Sequence, residues 1–141
     1  MLKNKWETVC GISNLGEDDC SVAIRLNDDG TTQIAFAAFS GLKVIELTNV
    51  SDGVTGTFSD NDVAMVEHWV DDYYDVAFKA IVDDREAIVV IDECDKVTLI
   101  DTANSKAFWS GNYVYVTDVS EYSCHEYDEL SDELLAIFMY T

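Results

Sequence analysis

From Ser59 to Val82 the chain runs SDNDVAMVEHWVDDYYDVAFKAIV, and whether this segment coils or extends sets the architecture around it. Val63, Val66, Val70, Tyr73, Ala77 and Ile81 recur at steps of three or four, the period of an amphipathic helix. Ser59 or Asp60 is a good N-cap, and Asp60 and Asp62 suit the positive end of a helix dipole. Asp83-Asp84 suits the other end poorly, so the spacing predicts one long helix stopping near Val82. On that helix Glu67, Asp71 and Asp75 fall at i, i+4 and i+8, a row of like charges rising roughly 6 Å per step. Such neighbours cost a few tenths of a kcal/mol per pair, about 0.2–0.5, where an ordinary helix face alternates acid with base. Phosphates along one DNA strand advance roughly 3.4 Å along the axis and lie further apart in space. A carboxylate row of this pitch therefore approximates a phosphate row. Asp72 and the turn acids Asp83, Asp84, Asp92, Glu93 and Asp95 would add a second row.

Working outward, Thr8–Ile12 reads as a short strand, and Val22, Ile24 and Leu26 alternate with Ser21, Ala23 and Arg25 at the strand period. Asn27-Asp28-Asp29-Gly30 is a hairpin turn, because Asp-Gly accepts the positive φ angles that tight turns require. Thr31–Phe39 and Leu42–Leu47 complete an antiparallel meander, and 49–59 reads as a loop. Beyond the helix, Ala87–Ile91 is a β-branched run suited to a strand buried on both faces, one of which the helix could cover. Lys96–Ile100 returns, 101–111 reads as loop, and Asn112–Val119 as a last strand. Asp128–Tyr140 reads as a short C-terminal helix with Leu130, Leu134, Ile137 and Phe138 on one face. Strands are grouped, not interleaved with helices. The expectation is one α+β domain over residues 1–141: a largely antiparallel sheet with the long central helix and the C-terminal helix packed on it.

The 141 residues carry 28 Asp+Glu against 8 Lys+Arg, a formal charge of −20, yet 48% are apolar and 11% aromatic. A disordered acidic tail lacks such aromatic and β-branched content. A basic surface for nucleic acid or anionic membrane is excluded. Solubility alone needs a charge of roughly 2–8, and the excess repels itself in the compact state. No run of about 18 apolar residues spans a membrane, and Met1–Trp6 lacks the apolar core of a secretory signal, so a cytoplasmic setting is expected.

No catalytic signature stands out. G-x-S-x-G, Walker, G-x-G-x-x-G and H-E-x-x-H patterns are absent, and 28 carboxylates make any single acid pair unspecific. An EF-hand built around Gly30 would place Arg25 first and Phe36 twelfth, which fails. Cys10, Cys20, Cys94 and Cys124 contain no C-x-x-C pair, and Cys124-His125 are adjacent, so no metal or cofactor is expected. The cysteines read as small buried apolar residues. Among the aromatics, Trp69 and Tyr73 read as core, whereas Tyr74, Tyr122 and Tyr127 read as surface contacts.

The composition thus points to a binding protein and not an enzyme. The first expectation is an acidic inhibitor that occupies the basic groove of a DNA- or RNA-handling enzyme in DNA-mimic style, as anti-restriction and anti-CRISPR proteins do. Its partner is a basic protein, with no direct nucleic acid or membrane contact, and self-association into a homodimer stays open. Its contacts would be Glu67, Asp71, Asp72, Asp75, Asp83, Asp84, Asp92, Glu93, Asp95 and Tyr74. The alternatives are an immunity protein or antitoxin neutralising a cationic nuclease toxin, and a halophilic-type acidic domain whose charge serves a high-salt interior.

Overall fold

The computed structural model describes residues 4–13, 20–38, 41–70, 73–94, 96–112 and 115–118. Strands β1 (Glu7–Ile12), β2 (Cys20–Leu26), β3 (Thr32–Ala38), β4 (Gly41–Leu47) and β5 (Val50–Gly53) precede a helix, α1 (Asp60–Trp69). Strands β6 (Tyr74–Val82), β7 (Arg85–Asp92), β8 (Lys96–Asp101), β9 (Lys106–Asn112) and β10 (Tyr115–Asp118) follow. Every pairing is antiparallel, in the order β10-β4-β3-β2-β1-β6-β7-β8-β9, with β5 also on β6.

The long central helix is therefore corrected. α1 stops at Trp69, and Tyr74–Val82 is a strand. The apolar steps of three and four coexist with a strict alternation: Val76, Phe78, Ala80 and Val82 face one core, while Ala77 faces another. Val76, Phe78, Ile81 and Val82 are β-formers, and only the extended chain buries Val76, Phe78, Ala80 and Val82 in one core and Ala77 in the other. The α+β expectation gives way to an antiparallel sheet with one short helix among the described residues. The C-terminal helix expected over 128–140 lies outside the described residues.

The start of α1 matches the sequence. The Ser59 hydroxyl accepts from the Asp62 amide at 3.2 Å, and Asp62 Oδ2 accepts from the Ser59 amide at 2.9 Å, a complete capping box. The Asn27–Gly30 turn is also present: Leu26 pairs with Thr32, and Gly30 adopts φ +86°. Asp29 Oδ1 accepts from the Thr31 hydroxyl at 2.6 Å and its amide at 2.9 Å, bonds that hold the Asp29 carboxyl below its ordinary range.

The sheet curls on itself, so that β3 meets β6 and β2 meets β5 although neither pair shares a ladder. The enclosed core holds Ile24, Ile34, Phe36 and Ile45 from one half and Phe78, Val89, Ile91 and Leu99 from the other, all essentially inaccessible. On the outer face of β6–β8, α1 lays Val66 onto Ala77, Ile88, Val90 and Ile100. β7 is buried on both faces, as its β-branched run implies. β5 and β9 lie in segments expected as loop. Along one edge, β6 pairs with β1 at Ala77–Phe78 and with β5 at Ala80–Val82.

Asp83 and Asp84 join β6 to β7 with φ +51° and +63°, a two-residue turn with both centres left-handed. Asp tolerates this conformation and glycine prefers it. Asp84→Gly should accordingly raise stability by about 0.5–1 kcal/mol, read as a higher urea midpoint with unchanged slope. A lower midpoint would show that the Asp84 side chain supports the turn.

Candidate functional site

Four of the chain's cations, Arg25, Lys43, Lys79 and Arg85, are engaged within the fold, whereas Lys5, Lys96 and Lys106 are exposed. Lys79 Nζ lies 2.7 Å from Asp62 Oδ2, with only 14% and 9% of the two side chains exposed. Lys43 Nζ lies 3.6 Å from Asp75 Oδ2 across the curled sheet. A bulge in β6 between Tyr74 and Val76 aims Asp75 there. Arg85 reaches the buried Asp101 at 3.3 Å. Arg25 donates to Gln33, which donates to Glu46 at 3.2 Å. Burial lowers the Arg25 pKa from its ordinary value, opposed by the charge of Glu46. The carboxylates of these three ion pairs, Asp62, Asp75 and Asp101, are all buried. Asp28, Asp29, Asp60, Glu67, Asp83, Asp84, Glu86 and Glu93 stand exposed and make no ion pair.

The expected carboxylate rows do not assemble. Glu67 is exposed on α1, but Asp75 is 3% exposed on a strand and held by Lys43. Tyr74 is buried against the helix-side core and offers no contact surface. Asp83-Asp84 and Asp92-Glu93 occupy opposite ends of β7, roughly 24 Å apart for seven strand steps. Asp71, Asp72 and Asp95 lie outside the described residues. The aromatics are also reversed: Trp69 and Tyr73 are 40% and 73% exposed, and Trp109 44%. Cys94, expected buried, is exposed.

What the fold does assemble is a groove of about 690 Å³ between α1 and the β8–β9 turn. Ser59, Asn61, Asp62, Ala64, Met65, His68 and Trp69 form its helix side, and Thr102 and Ser105 the turn side. The Trp69 indole donates from Nε1 to the Ser105 carbonyl at 3.0 Å, which fixes the ring, and His68 meets it edge-on at 5.1 Å. The Thr102 amide and hydroxyl each reach the Glu86 carbonyl at 3.3 Å, so Glu86 and the adjacent Asp83-Asp84 turn stand at the same end of the sheet. Among the described residues, no lysine or arginine lines the groove. The sequence marked α1 as acidic but gave no sign of this wall, because Thr102 and Ser105 are placed by a hairpin expected as loop.

Among the described residues, no helix is long and apolar enough to cross a membrane, and no cluster of three or more His, Cys, Asp or Glu could hold a metal ion. Compared with protein-family models, curated proteins and solved structures, the chain matches none.

Proposed function

We propose that the chain is an acidic inhibitor that covers the basic, nucleic-acid-binding surface of a DNA- or RNA-handling protein. The observation that carries this reading is the segregation of charge. Lys43 and Lys79 neutralise buried carboxylates, and the exposed Asp60, Glu67, Asp83, Asp84 and Glu86 make no ion pair. The contact face is built on α1 and the β6–β7 turn, with Asp60, Glu67, Asp83, Asp84 and Glu86. Fixed carboxylates steer a cationic partner and replace the phosphates it would otherwise hold, with no bond made or broken.

The test is capture of basic proteins from host lysate on the immobilised chain at low and high salt, followed by elution with duplex DNA. The expected result is a nucleic-acid enzyme retained at low salt, displaced by DNA, and inhibited in its own assay. Charge reversal at Glu67, Asp83 and Asp84 to lysine should abolish that inhibition while the folded spectrum persists. A partner indifferent to DNA would replace mimicry with toxin neutralisation beside the active site. No partner at any salt, with folding lost in dilute buffer, would assign the charge to high-salt adaptation.

A further inference from the structure

The outer face of β2–β4 is buried, yet no helix or strand among the described residues lies over it. Val22 and Ile24, Ile34 and Phe36, and Ile45 and Leu47 line the enclosed core. Alternation turns their neighbours Ala23, Ala35 and Val44 to the opposite face. These three stand side by side, Ala23 against Ala35 and Ala35 against Val44. Ala23 and Ala35 are 0% exposed and Val44 3%. Side chains this small cannot hide one another from water to that degree on an open sheet face, so chain lies over them. It is not α1, which packs on the other half of the sheet. The Trp6 ring is occupied with Arg25, in the next row. Thr8, beside Ala23 on β1, is exposed, so the cover stops before that strand. At the far end of the row Val44 pairs with Thr117 of β10, and the chain leaves β10 at Asp118, opposite Lys43.

We propose that residues 119–141 pass back over this face and bury it beneath the apolar run Leu134-Leu135-Ala136-Ile137-Phe138-Met139-Tyr140. No charged side chain interrupts that run, and left in water it would form an exposed apolar patch. The chain between Asp118 and Leu134 spans roughly 50 Å when extended, several times the width of three strands at roughly 4.8 Å each. The other stretches outside the described residues do not fit. Residues 1–3 reach roughly 10 Å at most and start from the β1 side, where Thr8 is open. Residues 14–19 carry Leu15 but also Glu17, Asp18 and Asp19, a poor lining for an apolar face. Residues 39–40, 71–72, 95 and 113–114 are too short to cross it. This cover needs no cationic partner and goes beyond that reading. It closes the β2–β4 face to other proteins and leaves α1 and the β6–β7 turn as the side on which a partner docks.

The test is methyl NMR on the whole chain, ¹³C-labelled at alanine, valine, leucine, isoleucine and methionine. Cross-relaxation should link the Ala35 and Val44 methyl groups to methyl groups within Leu134–Met139. A mixture of labelled and unlabelled copies, filtered for contacts between molecules, should show none of these links. Leu134→Ala combined with Ile137→Ala should speed amide exchange at Ala35 and Val44 about tenfold relative to Val90, which lies under α1. If that variant fails to fold, the methyl contacts of the unaltered chain decide alone. Contacts from Ala35 and Val44 to Leu15 or Leu2 in place of Leu134–Met139, or no contacts at all, overturn the proposal. Contacts found only between copies also overturn it and assign the cover to a second molecule. Exchange at Ala35 and Val44 left unchanged by the two substitutions in a folded variant counts against it equally.

Discussion

Lys79→Met should destabilise the protein by about 3 kcal/mol, the lower part of the 3–5 kcal/mol range for a buried pair that loses one member. The ammonium sits 2.7 Å from Asp62, and both side chains are about nine-tenths buried, so methionine fills the space but strands a carboxylate under α1. Asp62 also closes the capping box, so the damage reaches the helix start. The Lys79→Met, Asp62→Asn double variant should recover most of the loss, because asparagine keeps an acceptor for the Ser59 amide without a charge. The pH dependence separates this from simple packing loss. Burial opposes ionisation of Asp62, but the hydrogen bonds from Lys79 and Ser59 and the Lys79 charge outweigh it and hold its pKa below the ordinary value. The pair's contribution is therefore complete above the unfolded carboxyl pKa of about 4 and fades as pH falls through the lower folded value. In Lys79→Met the same carboxylate resists ionisation, so the deficit should shrink on acidification. Urea unfolding at pH 7 and pH 3.5 measures both; a deficit equal at the two pH values would sink the assignment.

Phe78→Ala should cost about 3–5 kcal/mol, as for a fully buried aromatic truncated to alanine. Phe78 is inaccessible, on the strand that joins the two halves of the curled sheet, within the cluster that also holds Phe36, Val89 and Ile91. The backbone cannot collapse into the void, because β6 is hydrogen-bonded at this point to β1 on one side and β7 on the other. Phe108→Ala, at a half-buried position on the margin of the same core, should cost clearly less. Denaturant midpoints on both variants give the comparison, and equal losses would mean that the centre of the core lies elsewhere.

Residues with a strong local signature declared themselves before the structure did. The β2–β3 hairpin followed from alternation and the Asn27–Gly30 turn, β7 from its apolar run, and the start of α1 from Ser59 and the acids after it. The end of α1 did not, because Val70, Tyr73, Ala77 and Ile81 satisfy a helical period while Val76, Phe78, Ala80 and Val82 satisfy an extended one. Pairing with β1, β5 and β7 decides between them, and that information lies up to 67 residues away, as in Gly11 with Phe78. β5 and β9 escaped because each is partly exposed and carries polar residues. The carboxylate row inherited the helix error: with Tyr74–Val82 extended, Asp75 turns inward. Which acids are neutralised was equally hidden, since Lys43 with Asp75 and Lys79 with Asp62 meet only through tertiary packing.

The double pairing along one edge of β6 has a consequence for synthesis. While a nascent chain is still emerging, β1 and β5 wait for a strand that the ribosome makes only after α1. The early meander can zip through local turns, but its apolar side stays open to solvent until residue 82 has cleared the exit tunnel. A transient of that kind is prone to sticking to its neighbours. The surplus negative charge carried by the same chain then has a second use, keeping half-made copies apart before any partner is met.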